Sequence, residues 1–199
     1  MRYPIRIVSS LASLVIASVA WSADLQKGLA AYDVGDYETS LAECQPLADA
    51  GDAAAQFCVG RLYANGFGVP MDDAVALRWY GAAAAQGHAE AQFNLAVFTE
   101  NGWGVAMDSL EAAKWYRLSA EQGFLQAQST LAKNYQFGRG VDPDLVEAYK
   151  WYAIAAQGGD YAAQTGLDEV AAALSPEQLA KAQQDAQQWL ADHVARTGQ

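Results

Sequence analysis

A unit of 36 residues, given three times without a gap, constrains this chain more than any other feature. The copies span residues 52–87, 88–123 and 124–159. Ala-Gln recurs at Ala55-Gln56, Ala91-Gln92 and Ala127-Gln128, and once more at Ala163-Gln164. Gly-x-Gly-Val recurs at Gly66, Gly102 and Gly138, and Trp-Tyr at Trp79-Tyr80, Trp115-Tyr116 and Trp151-Tyr152. A fixed period of this length means one supersecondary unit stacked on copies of itself. No copy can bury its apolar face alone.

Two amphipathic helices fit each unit. In the second, the first helix runs from about Ala89 to Glu100, with Ala91, Leu95 and Phe98 on one face at helical spacing. Gly102 ends it, since glycine tolerates the left-handed conformation that follows a helix. Asp108 offers an N-cap with Glu111 three residues on, and Asp144 with Glu147 repeats the capping-box pattern. Asp72 keeps the cap but is followed by Val75. The second helix carries Ala112, Trp115, Tyr116 and Ala120 toward the first. Small residues at Ala55, Ala91 and Ala127 let the backbones approach while the tryptophans fill the space beside them. Trimming a buried Trp to Ala should cost about 3–5 kcal/mol. Alanine is plentiful and strand-like alternation is missing, so the expected fold class is all-α.

The ends differ from the repeats. Residues 24–51 form an imperfect first unit that turns at Gly35-Asp36-Tyr37 and serves as an N-terminal cap. Residues 160–199 hold a partial repeat and a last helix opened by Ser175-Pro176-Glu177-Gln178. Such a polar closing helix is what a solenoid needs at its end. Residues 1–23 read as a signal peptide: Arg2 and Arg6, a short apolar run from Ile7 to Val19, then small residues at Ser18-Val19-Ala20. The expected location is periplasmic or secreted, with no membrane span once that segment is removed.

All 23 acidic residues and ten of the 12 basic ones follow residue 23, giving that part a formal charge of −13. A nucleic-acid partner is not expected, because it calls for a basic face. Cys44 and Cys58 are the two cysteines. In an oxidising compartment they could join and contribute roughly 3 kcal/mol, or remain two small buried thiols. His88 and His193 show no metal-binding spacing and read as exposed bystanders. The Gly-x-Gly loops follow helices and lack a Lys-Ser/Thr, so they are repeat turns rather than nucleotide loops. No catalytic residue, metal or cofactor is expected, and Ser-x-x-Lys is absent.

The unit resembles the Sel1-like repeat, a relative of the tetratricopeptide repeat. The residues that carry the likeness are Ala55, Val59-Gly60, Tyr63, Gly66, Gly68-Val69, Asp72, Ala76, Trp79-Tyr80, Ala83-Ala84 and Gly87. Leu95-Ala96 and Leu131-Ala132 depart from the pattern, as does Phe98 in place of the tyrosine. The opening unit is similar to a tetratricopeptide repeat. The resemblance implies a right-handed α-solenoid of antiparallel helix pairs that binds a protein or peptide in a groove lined by the first helix of each unit. Carrying that register across, the expected lining is Phe57, Arg61 and Asn65, then Phe93, Glu100 and Asn101, then Ser129, Lys133 and Gln136. An exported, monomeric interaction scaffold is the expected function. The alternative, implied by cysteine-rich exported relatives, is a weak hydrolase or a binder of cell-wall fragments of the β-lactam type.

Overall fold

The computed structural model describes residues 24–198. The signal-peptide assignment to residues 1–23 lies outside the described residues. Helix α1 covers residues 24–33 and α2 covers Tyr37–Asp49. The three full units supply α3 (Ala53–Asn65) and α4 (Asp73–Ala85), α5 (Ala89–Asn101) and α6 (Ser109–Glu121), then α7 (Leu125–Phe137) and α8 (Leu145–Gln157). Helices α9 (Tyr161–Ala173) and α10 (Pro176–Thr197) close the chain. Among the described residues there is no strand, and consecutive helices pack as pairs along a solenoid.

Each turn is built the same way. Gly66, Gly102 and Gly138 sit at φ of 67, 74 and 70°, ending α3, α5 and α7 in the left-handed region. The second glycine of each turn matters for a different reason. A Cβ on Gly104 would lie 2.7 Å from the Asp73 carbonyl oxygen, and one on Gly140 would overlap the Ser109 carbonyl. The turn of one unit therefore rests on the start of the second helix of the unit before it.

Asp72, Asp108 and Asp144 cap α4, α6 and α8, accepting from Val75, Glu111 and Val146 with Glu147. The reciprocal half of the expected capping box does not form in the repeats. The Asp108 and Asp144 N–H groups already donate to Thr99 and Tyr135 carbonyls at 3.0 Å. Glu111 and Glu147 turn instead to Lys114 and Lys150. Ser175 and Gln178 alone make the complete box among the described helices, at the start of α10.

Alanine makes the close approach possible. Ala55, Ala76, Ala91, Ala112, Ala127 and Ala148 are all sealed from solvent between paired helices. The tryptophans divide. Trp79 and Trp115 are half-buried, so the full cost expected for a core Trp applies to neither. Trp151 is buried because α10 folds back over α8 and sets Trp189 edge-on against it, 5.6 Å between ring centres.

The repeated Ala-Gln is a polar clamp. Gln56, Gln92 and Gln128 are buried and donate at 3.2 Å to the carbonyls of Ala48, Ala84 and Ala120, near the end of the preceding helix. Those carbonyls already accept from the Gly51, Gly87 and Gly123 N–H groups at 3.0 Å, and the glutamine supplies a second bond. Gln86 and Gln122 then donate to Gln56 and Gln92 at 2.8 and 2.7 Å. The ladder stops at Gly158, which occupies the same register as Gln86 and Gln122.

Candidate functional site

The first helices α3, α5 and α7 contribute the candidate face. Arg61 is half-exposed, with its guanidinium 3.8 Å above the Tyr32 ring. Asn65, Asn101 and Lys133 are exposed. Each asparagine donates to the carbonyl one turn back, Arg61 at 2.8 Å and Val97 at 2.7 Å, which holds its side chain against the helix end. Phe137 stands exposed at the register of Asn65 and Asn101 and belongs to the same strip. It is absent from the sequence-based lining, although counting 36 residues from Asn101 finds it.

Phe57, Phe93 and Ser129 lie one turn before Arg61, Val97 and Lys133, and the Arg61 guanidinium sits 5.6 Å from the Phe57 ring centre. They share one register and point at the residue that opens the next unit's first helix. Phe57 is buried and stacks on His88 at 4.7 Å between ring centres. Phe93 is half-buried and meets Phe124 at 5.3 Å, and the buried Ser129 donates to Asp160. The side chain in this position joins one unit to the next. The Asp160 carboxyl is held below the ordinary carboxylate range chiefly by the Ser129 hydroxyl.

Glu100 and Gln136 are half-buried and engaged. The Tyr116 hydroxyl donates to Glu100 at 2.8 Å and the Tyr152 hydroxyl to Gln136 at 2.6 Å. Burial, followed by the Glu100 carboxylate, pushes the Tyr116 pKa well above the usual tyrosine range. In the first unit the same register holds Ala64, which can accept nothing. A cavity of about 440 Å³ opens there, between α3, α4, α5 and the turns that follow α3 and α5.

Neither histidine is an exposed bystander. His88 caps α5, its Nδ1 accepting from the Ala91 N–H at 3.3 Å, and burial lowers its pKa. His193 is half-buried on α10 and stacks on Trp189 at 4.6 Å. Among the described residues neither is hydrogen-bonded to a Ser or Cys side chain. Cys44 and Cys58 bring α2 and α3 together as buried free thiols with their sulfurs 2.7 Å apart. The Cys44 S–H donates to Cys58, which holds the Cys58 thiol down to about 7 and pushes Cys44 up. No group of three or more His, Cys, Asp or Glu among the described residues could hold a metal ion. No helix among them is long and apolar enough to cross a membrane.

The comparisons with known proteins agree with the fold. The Sel1 repeat model matches residues 53–88, 89–124 and 125–160, a phase one residue later than the units marked above. A Sel1 repeat protein from Oxalobacter formigenes is 35% identical and superposes with a TM-score of 0.69 over 72% of this chain. A second solved structure, c5321, is a protective antigen present in uropathogenic Escherichia coli strains and displays an SLR fold. It is 31% identical, with a TM-score of 0.71 over 80% of this chain. The chain spans 59% and 34% of the lengths of those two proteins. No curated protein matches it. With three consecutive matches covering more than half of its length, the chain belongs to the Sel1 repeat family.

Proposed function

We propose that this chain is an exported, monomeric scaffold that binds an extended segment of a protein partner along the first-helix face. One observation carries the reading. Arg61, Asn65, Asn101, Lys133 and Phe137 lie on one strip of a stack that ladders and turns hold rigid, and four of the five are exposed. Amide and cationic groups at that spacing suit the carbonyls of an extended backbone, and the exposed ring suits an apolar side chain. Sel1 repeats typically serve protein–protein interaction, which supports the same assignment. The signal-peptide pattern at the N-terminus supports work in the periplasm or outside the cell. A hydrolase gains no comparable support, because both histidines are committed to caps and stacking.

The test is a crosslinking pull-down from envelope extract with wild type and an Arg61→Glu, Asn101→Ala, Lys133→Glu variant, each checked for folding by circular dichroism. The expected result is a partner recovered by wild type and bound on the order of tenfold or more weakly by the folded variant. Equal affinity for every partner would sink the groove.

A further inference from the structure

The cavity in the first unit points to a more specific recognition event, one that rests on the groove reading. In the second and third units the chain satisfies its own tyrosine: Tyr116 donates to Glu100, and Tyr152 donates to Gln136. Each acceptor lies 16 residues before its tyrosine. The equivalent pair in the first unit is Ala64 and Tyr80. Tyr80 is only 3% exposed, yet its hydroxyl makes no hydrogen bond among the described residues. The oxygen is not sealed, since the unsatisfied polar atom that is fully shut off from solvent is Nδ1 of His193. Ala64 and Tyr80 both line the 440 Å³ cavity. The hydroxyl is thus left to water or to a ligand, and the space for an acceptor beside it is open.

The walls define what would fit. Phe98 and Trp103, perpendicular at 5.2 Å, give apolar surface for an alkyl stem. Asn65 and Asn94 each donate one amide N–H back to the Arg61 and Glu90 carbonyls, which leaves each a side-chain carbonyl oxygen and a second N–H. Asp73 adds a carboxylate to the same wall. The cavity therefore offers the Tyr80 hydroxyl, two carboxamides that both donate and accept, and the Asp73 carboxylate. A carboxylate would meet Asp73 and a strongly acidic chain. An ammonium or guanidinium carries no acceptor and would leave the Tyr80 hydroxyl proton unmet. A neutral carboxamide satisfies both sets, its oxygen accepting from Tyr80 and its NH₂ donating to the acceptors. We propose that this cavity is a specificity pocket for a glutamine side chain of the bound partner, which takes the place that Glu100 and Gln136 fill in the following units. Glutamine has the stem length of the residues it replaces.

A random dodecapeptide library displayed against the protein tests this. Selected peptides would be measured on wild type, Ala64→Gln, Tyr80→Phe and the triple groove variant, with folding checked by circular dichroism. Ala64→Gln supplies the acceptor from within, and Tyr80→Phe removes the donor. The expected peptides share a glutamine and bind both cavity variants on the order of tenfold more weakly, as a buried hydrogen bond and its space would require. Changing that glutamine to glutamate should cause a similar loss. Peptides that depend on the groove residues but bind Ala64→Gln and Tyr80→Phe as tightly as wild type overturn the pocket and leave the groove standing. A library that yields no binder, or binders indifferent to all three variants, overturns both.

Discussion

His88 shows how a single side chain carries both a local and an inter-unit role. Its Nδ1 must be unprotonated to accept from Ala91, and its ring is stacked on Phe57. Burial is the main cause of its lowered pKa, opposed by the carboxylates of Glu90 and Asp52. A folded pKa below the unfolded value means that the unfolded chain binds more protons in between, so stability rises with pH there. The contribution is complete above the ordinary histidine value of about 6.5 and is lost as pH falls through the depressed folded value. Urea unfolding across that window should show wild type weakening toward acid. His88→Asn, which keeps a capping oxygen without the titration, should be nearly flat. Parallel profiles for the two proteins would remove His88 from the account.

At the scale of elements, the two glycines of each turn do separate jobs and should fail separately. Gly104→Ala and Gly140→Ala combine a positive φ with a collision against the preceding unit. Gly35→Ala keeps a φ of 81° but meets nothing within 4 Å. Conformational strain alone costs about 1–2 kcal/mol. Chemical denaturation should place the Gly35 variant near that figure and the two turn variants at about 2–4 kcal/mol, as expected for overpacking added to strain. The helix pairs, their stops and their aspartate caps were legible in the sequence because a period of 36 residues repeats every local signal. The site was less legible, for a geometric reason. Placing Asn65 beside Glu100 and Gln136 slips the register by one residue, which is about 100° around a helix. That slip hides Ala64, whose side chain is the one missing from an otherwise repeated pair. The inter-unit contacts of Phe57 and Ser129 were not legible, because a 36-residue count says nothing about how far the next unit rotates to meet them. Only the packed stack shows His88 and Asp160 lying against them.

The whole molecule is uneven along its length. The first units are held by thiols, clamps and rings, whereas the third depends on α10, which lies back across α8 and covers Trp151. In a stack whose units touch only neighbours, such a loss stays local. Trp189→Ala should cost about 2–4 kcal/mol. Hydrogen exchange should show α8 and α9 opening more readily while α3 and α4 keep their protection. Uniform acceleration along the chain would mean that the solenoid unfolds as one cooperative block. The glutamine ladder has a mechanical meaning as well. The bonds from Gln56, Gln92 and Gln128 join each unit to the one before and lie in series, so a pull on the two ends would load them equally and the weakest would give way first. Each unit that gave way would pay out a segment of about 120–130 Å of extended chain. The chain would then lengthen in steps of one unit, while the units still closed kept their fold.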